Sequence, residues 1–348
     1  MCITHIFPGK CVNLQCIDMN SFGRLYRVTI FGESHGFAVG IIVDGCPAGI
    51  PLERDDFNED FLRRKSGAQG TTQRKEPDKP EIISGTFNGY TTGAPISIMV
   101  RNKNTRPSDY NSFIEVPRPG HADFVASKKF GGFADYRGGG HFSGRLTTGL
   151  VAAGVIAKKV IKPLLCRGEI IEAGGISDIS KAVNKALKDK DSIGGIVECR
   201  IMNVPAGLGE PFFDSVESIL SHLVFSIPAV KGIEFGSGFG AAKMKGSEHN
   251  DNIMEINGRT ETNYAGGING GISNGNEIVF RIAVKPTSST SAPQRTINIK
   301  TGEMVDLTIS GRHDTCIALR VPVVLEACAA IVMADLMLLE QKINRINV

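Results

Sequence analysis

The stretch PVVLEACAAIVMADLMLL, residues 322–339, is apolar on every side when wound at the helical period. A helix with no polar face is buried all round, in a protein core or in a bilayer. Glu326 and Asp335 interrupt the run, and a bilayer span needs about 20 predominantly apolar residues, so the core is the reading taken. LTTGLVAAGVIA, residues 146–157, has the same character. Around these two helices lie strand-like segments rich in Val and Ile: RLYRVTIFG (24–32) and AVGIIVDG (38–45) early in the chain, EIVFRIAV (277–284) late in it. With strands in both halves and two helices that need cover on every side, the simplest packing is a helical layer between two sheets.

An internal echo agrees with two similar halves. GIIVDGCPAGIPL (40–52) returns as GIVECRIMNVPAGLGEPF (195–212), each a Gly-started strand, an acid, Pro-Ala-Gly and then a helical segment. The offset of about 155 residues is too long for a solenoid repeat. LERDDFNEDFLRRK (52–65) supplies the first helical segment. DSVESILSHLVF (214–225) supplies the second, with Asp214 and Glu217 at capping-box spacing.

The totals bound the partners. The 348 residues are 41% apolar and 22% charged with a net charge of +3, which admits a small anionic substrate but lacks the dense basic stripe of a nucleic-acid binder. Eight cysteines form no C-x-x-C pair and read as reduced thiols of a cytoplasmic protein. Residues 1–18 have neither the basic start and apolar core of a signal peptide nor any periodicity. They are expected to lie outside the fold as an extension, with residues 19–348 forming one domain.

Three histidines sit in short Gly-flanked polar strings: His35 in FGESHG, His121 in RPGHAD and His313 in SGRHDTC. Glycine lets a backbone approach a ligand closely, and arginines accompany these strings. Arg63 and Arg64 end the first helix, Arg74 lies in the polar loop 66–81, and Arg118, Arg145 and Arg312 stand beside or near the histidines. Guanidinium forks bind carboxylates and phosphates at two points. KPTSST (285–290) follows a strand with an ammonium and a run of hydroxyls, a composition suited to phosphate. GSGFGAAK (236–243) has its last glycine one residue early for a dinucleotide fingerprint and is set aside. Pattern alone leaves three readings open. His121, Asp123, His313 and Asp314 could bind metal in a phosphohydrolase; a phosphate-bearing cofactor could sit at KPTSS with an anionic substrate at the arginines; or the site could bind phosphate without catalysis.

GRLYRVTIFGESHG, TTQRKEPD, RPGHADF, DYRGGGHFSGR, YAGGINGGISNG, KPTSS and SGRHD occur in an order that resembles the chorismate synthase family, from Met19 to about Gln341. That resemblance implies an α+β fold, a β-α-β sandwich with a central helical layer between antiparallel sheets, assembled as a homotetramer. It implies conversion of 5-enolpyruvylshikimate 3-phosphate to chorismate, the last step of the shikimate pathway, by 1,4-elimination of phosphate. Reduced FMN is required without net redox change; NADPH enters only as a source of reducing equivalents, and a separate flavin reductase is expected. No metal, nucleic acid or membrane is implied.

Carried over residue by residue, the resemblance makes His35 the proton donor to the departing phosphate, His121 the proton donor to the reduced flavin, and Asp314 an aid to proton removal at flavin N5. Arg63, Arg64, Arg118 and Arg145 would meet the anionic substrate. His141, Phe142, Ser143, Gly270, Lys285, Pro286, Thr287, Ser288, Ser289 and Arg312 would hold FMN. The chain departs from the family pattern in having His141 and Leu146 where many members carry arginine and glutamate. The loop SGAQGTTQR (66–74) is also a residue shorter and lacks a basic residue before TTQR.

Overall fold

The computed structural model describes residues 19–309, 313–344 and 346. Residues 1–18, expected to form an extension, and the candidate flavin contact Arg312 lie outside the described residues.

In the first half, the strands are β1 (Ser21–Phe22), β2 (Arg27–Gly32), β3 (Ala38–Asp44), β4 (Pro80–Ser84) and, after the small hairpin β5 (Thr86–Phe87) and β6 (Tyr90–Thr91), β7 (Ile96–Arg101). The second half has β8 (Leu165–Ala173), β9 (Gly195–Met202), β10 (Val230–Phe235), the hairpin β11 (Ile268–Asn269) and β12 (Ile272–Ser273), and β13 (Ile278–Val284). A last hairpin pairs β14 (Gln294–Ile297) with β15 (Met304–Leu307). The helices are α1 (Asn58–Arg64), α2 (Asp123–Lys129), α3 (Thr147–Val160), α4 (Ile179–Asp189), α5 (Val216–Val224), α6 (Gly246–His249) and α7 (Pro322–Leu339).

Two antiparallel sheets result, one in the order β1-β2-β3-β7-β4 and the other β10-β13-β9-β8. Both obey the period of two that one-faced burial demands. On β3, Val39, Ile41 and Val43 point inward, with Ile41 opposite Ile98 and Val43 opposite Ile96 of β7. On β13, Ile278, Phe280 and Ile282 do the same, opposite Ile201, Cys199 and Val197 of β9. Helix α3 packs on the first sheet, α7 on the second, and the two helices pack on each other. The echoed strands β3 and β9 are interior strands of their respective sheets. The expected helical layer between two sheets is therefore present.

The helices approach unusually closely at one point. A Cβ on Gly154 would lie 2.3 Å from Ala327 Cβ and 2.5 Å from its Cα, so no larger residue fits without separating them. The two acids of α7 have structural partners. Glu326 accepts both arms of the Arg63 fork at 2.6 and 2.7 Å, Lys158 Nζ at 2.8 Å and the Gly168 amide at 2.8 Å. Asp335 accepts the backbone amides of Arg24, Leu25 and Tyr26 and so ties the β1–β2 turn to the core. Removing one partner of such a buried charge typically costs about 3–5 kcal/mol.

Two local expectations need correction. LERDDFNEDFLRRK is a 3-10 turn over Arg54–Phe57 followed by the short α1, not one continuous helix. Helix α5 is capped by Ser215, whose hydroxyl accepts the Ser218 amide at 3.1 Å. Asp214 is one position too early to cap it; it closes a 3-10 turn and pairs with Arg24.

Candidate active site

Six segments converge beside the helical layer: the β2–β3 loop, the polar loop 66–78, the turn before α2, the residues leading into α3, the KPTSS stretch after β13, and residues 313–320 before α7. They enclose two adjoining spaces. A wide cleft of about 700 Å³ is lined by His121, His141, Phe142, Ser143 and Lys285 to Ser289. A smaller chamber of about 170 Å³ is lined by Arg64, Arg74, Arg118, Arg145, Arg320 and Asp314. Gly138, Ser143, Gly144, Thr287 and Ile317 border both. The cleft is within the ~300–1,000 Å³ of ordinary cofactor and ligand sites.

His35 lies beneath Gly138, where a Cβ would come within 2.2 Å of the imidazole Nδ1, so only glycine allows this contact. The ring is 6% exposed and packs edge-on to Tyr110 at 5.0 Å. Its Nδ1 is 3.3 Å from the Ser34 hydroxyl, which accepts Arg74 Nη1 at 2.9 Å. Because Arg74 can only donate, the Ser34 O–H is left to point at Nδ1. That places the proton of a neutral imidazole on Nε2, and Nε2 is buried with no partner among the described residues. Burial, then the charge of Arg74, pulls the His35 pKa down to about 4, against the smaller raising effect of Asp135.

His121 has a different neighbour. Its Nδ1 is 2.6 Å from Asp123 Oδ1, and Asp123 also accepts Arg118 Nε and Nη2, each at 2.8 Å. Burial alone would raise the Asp123 carboxyl, but Arg118 and His121 together hold it well below the usual carboxylate range. Arg118 reaches Ser289 Oγ with its remaining arm at 3.0 Å and lies over the Phe113 ring at 4.5 Å. It thereby locks the RPGHAD turn to the KPTSS stretch. Lys285 Nζ and Ser288 Oγ complete that lock by donating to the Gly120 carbonyl, both at 2.7 Å. Burial, helped by Lys231, lowers the Lys285 pKa.

In the basic chamber, Arg64 is 2% exposed and bonds Thr147 Oγ1 and the Gly144 carbonyl, each at 3.0 Å. Arg145 bonds Asp78, Thr148 and, through Nε at 3.0 Å, Asn102 Oδ1, leaving Nη2 buried and unpartnered. Asp314 accepts the Thr72 amide at 2.9 Å and faces Arg320 at 3.5 Å. Thr287 Oγ1, on the shared border, is also buried without a partner.

Most of the candidate residues are thus brought together. His121, His141, Phe142, Ser143 and Lys285–Ser289 line the cleft, Arg64, Arg118, Arg145 and Asp314 line the chamber, and His35 lies behind their common wall. Two are elsewhere. Arg63 is turned to Glu326 and lines a separate cleft, because successive residues on a helix point about 100° apart. Gly270 lines neither space; with Gly271 it forms the two-residue turn of the β11–β12 hairpin at φ +62° and +89°, which glycine accommodates. His141, where many relatives carry arginine, bonds the Gly32 carbonyl and Asn20. Leu146 is buried in the core.

Three site residues carry no motif-level signal: Arg320, Asn102 and Tyr110. Arg74 and Asp78 are marked by their setting in the long polar loop, within TTQRKEPD. Among the described residues no three His, Cys, Asp or Glu side chains are grouped as metal ligands; Asp123 and Asp314 instead face arginines.

Comparison with known proteins adds an independent result. The profile of the family described as Chorismate synthase matches residues 26–338. A chorismate synthase of Chitinophaga pinensis is 63% identical over 329 residues, covering 94% of this chain and 99% of the relative. One from Dehalococcoides mccartyi is 47% identical over 92% of this chain and 96% of its own. One from Methanocaldococcus jannaschii is 46% identical with the same coverage. A crystal structure of chorismate synthase superposes with a TM-score of 0.72 at 26% identity, covering 91% of this chain and 93% of that one.

Proposed function

The chain belongs to the chorismate synthase family, and from that premise we propose that it eliminates phosphate from 5-enolpyruvylshikimate 3-phosphate to give chorismate. It is a carbon–oxygen lyase of aromatic amino-acid biosynthesis. The observation that carries this reading is the set of three buried polar atoms, His35 Nε2, Arg145 Nη2 and Thr287 Oγ1, with no partner among the described residues. Buried polar groups are normally satisfied; Arg145 lines the cation-lined chamber, Thr287 borders both chamber and cleft, and His35 lies behind Gly138 of their common wall.

The substrate carries two carboxylates and a phosphate, and the arginine-lined chamber supplies the opposing charge. Arg145 offers its free Nη2 and Arg64 a fixed positive charge beside it. His35 offers Nε2–H to the phosphate oxygen that leaves with the C–O bond. Without an anion beside it the imidazole is neutral at pH 7, because its pKa lies near 4. A phosphate dianion beside it favours the imidazolium, so substrate binding itself loads the general acid.

Reduced FMN fits the wide cleft: its phosphate would be held at Lys285 and the hydroxyls of Thr287 and Ser288, with His121, Phe142 and Ser143 along the rest. When bound, it supplies transient electron density to the breaking allylic system. His121, with Nδ1 fixed on Asp123, presents Nε2 to that cleft as the proton donor. Asp314 receives a proton at the chamber side. In this reading a separate reductase furnishes the reduced flavin, NADPH serves only that step, and the protein works as a cytoplasmic homotetramer.

The decisive experiment is anaerobic phosphate release from 5-enolpyruvylshikimate 3-phosphate, with and without dithionite-reduced FMN. Release is expected only with reduced flavin. Flavin-independent release would overturn the reading.

A further inference from the structure

We propose that Asn102 is a positioning residue that sets His35 and Arg145 in register through one side chain, an inference that rests on the proposed reaction. Asn102 follows β7 directly, where that strand lies beside the start of β3, with Ala38 opposite Arg101. Its backbone amide donates to the Phe37 carbonyl at 3.1 Å and so anchors it against the β2–β3 loop. From there Nδ2 donates to two carbonyls of that loop, Glu33 at 3.0 Å and Gly36 at 2.9 Å. Those two carbonyls bracket Ser34 and His35. On its other side Oδ1 accepts Nε of Arg145 at 3.0 Å.

The amide orientation follows from its partners. Turned over, Asn102 would set its oxygen against two carbonyl oxygens and its NH₂ against a guanidinium N–H. Three unlike contacts would become like ones. Only one orientation is compatible, so the side chain is a rigid bracket between the loop and the arginine.

The bracket joins two of the three buried unpartnered groups of the site. Arg145 Nη2 and His35 Nε2 both lack a hydrogen-bond partner among the described residues, and Asn102 fixes the frame of each. It takes the Nε donor of Arg145, while Asp78 and Thr148 take Nη1, so Nη2 alone remains for an anion. It also pins the loop on both sides of His35, holding the ring under Gly138 and against Tyr110. Anion binding and proton donation therefore share one mechanical support. A site whose groups must be held within about 0.5 Å of the productive geometry needs this kind of support.

Two substitutions separate the two arms. Asn102→Asp keeps an acceptor for Arg145 but replaces the NH₂ that holds the loop by an oxygen facing two carbonyls. Asn102→Leu removes both arms at similar volume. The first measurement is the titration of His35 by NMR in flavin-free, substrate-free protein, which requires no turnover. The groups facing this ring are Arg74, Asp135, Arg137 and Glu76, together with the Tyr110 ring; Asn102→Leu alters none of them, whereas Asn102→Asp adds a carboxylate that raises the midpoint by its charge alone. The wild-type midpoint is expected near pH 4, and the uncharged variant Asn102→Leu should move it upward as the loop loosens and water reaches the ring. The second measurement is steady-state kinetics with reduced FMN. Asn102→Asp should lower kcat by roughly 10-fold or more with KM within about 2-fold, whereas Asn102→Leu should also raise KM by roughly 10-fold, the scale of one lost charge-assisted bond.

A merely structural Asn102 would lower Tm in both variants while leaving the His35 midpoint of Asn102→Leu, and the kcat and KM of both folded variants, at wild-type values. That result overturns the proposal. Absence of flavin-dependent turnover in the wild type would strike the proposed reaction instead, and the His35 titration would still decide the bracket.

Discussion

His35 and His121 are the same side chain in opposite electrical settings. His35 is nearly buried, has the Ser34 hydroxyl but no carboxylate within bonding distance, and its pKa is drawn down to about 4. His121 sits at the cleft with 23% of its side chain exposed, and a carboxylate lies 2.6 Å from Nδ1. The first ring is held by a hydroxyl that leaves its proton on the outer nitrogen. The second is held by an acid that keeps a proton on the inner one. The lesson is that a histidine is assigned a role by what grips its inner nitrogen, and the two grips here suit two different proton transfers. His35 becomes an acid only when an anion arrives beside it; His121 carries its counter-charge permanently.

The most severe way to test this contrast is to remove each ring. His35→Ala and His121→Ala should each lower kcat by about 10²–10⁴-fold, the usual worth of a positioned acid or base. Equilibrium titration should show that His121→Ala still binds FMN, and wild-type turnover in either variant would remove that ring from the chemistry. Next in size, Asp123→Ala strips both His121 and the buried Arg118 of their carboxylate. An uncompensated buried charge costs about 3–5 kcal/mol, so the urea midpoint should fall sharply, with an unaltered midpoint contradicting the assignment.

Lys285→Ala should weaken FMN binding by about 10-fold, or about 1.4 kcal/mol, while substrate KM changes little; fluorescence titration of the flavin reads this directly. The pH dependence of stability gives a finer test. The His35 pKa in the folded protein, about 4, lies below the ordinary 6.5, so between these values the unfolded chain takes up a proton that the folded chain refuses. His35 therefore costs the fold stability as pH drops from 6.5 towards 4, with nothing lost above that window. His35→Gln should flatten this limb in thermal melts, and a parallel profile would show that the ring titrates normally. At the small end of the scale, deleting residues 1–18 is expected to leave Tm unchanged.

The architecture was largely legible in the chain because burial writes itself into periodicity. Segments 146–157 and 322–339 lacked a polar face, and the strands alternated, so a helical layer between sheets followed. The site was legible only where function concentrates unusual residues locally, as in RPGHAD and KPTSS. Asn102 and Arg320 were invisible because their roles exist only after distant segments meet; an asparagine ending a strand looks like any turn residue. Arg63 and Arg64 were indistinguishable as neighbours in sequence, yet one helical step sends one to Glu326 and the other to the chamber. Gly270 belonged to a familiar string, but in this chain its dihedral angles serve a hairpin.

The missing side chain at Gly154 has a consequence well away from itself. His35 and Asn102 ride on the sheet that α3 covers, whereas Lys285 and its hydroxyls extend from the sheet that α7 covers. The thickness of the contact between the two helices therefore works as a spacer for the seam in which the ligands meet. A methyl group placed there would act as a shim, prising the cation-lined wall from the hydroxyl-lined one without touching a single residue of either.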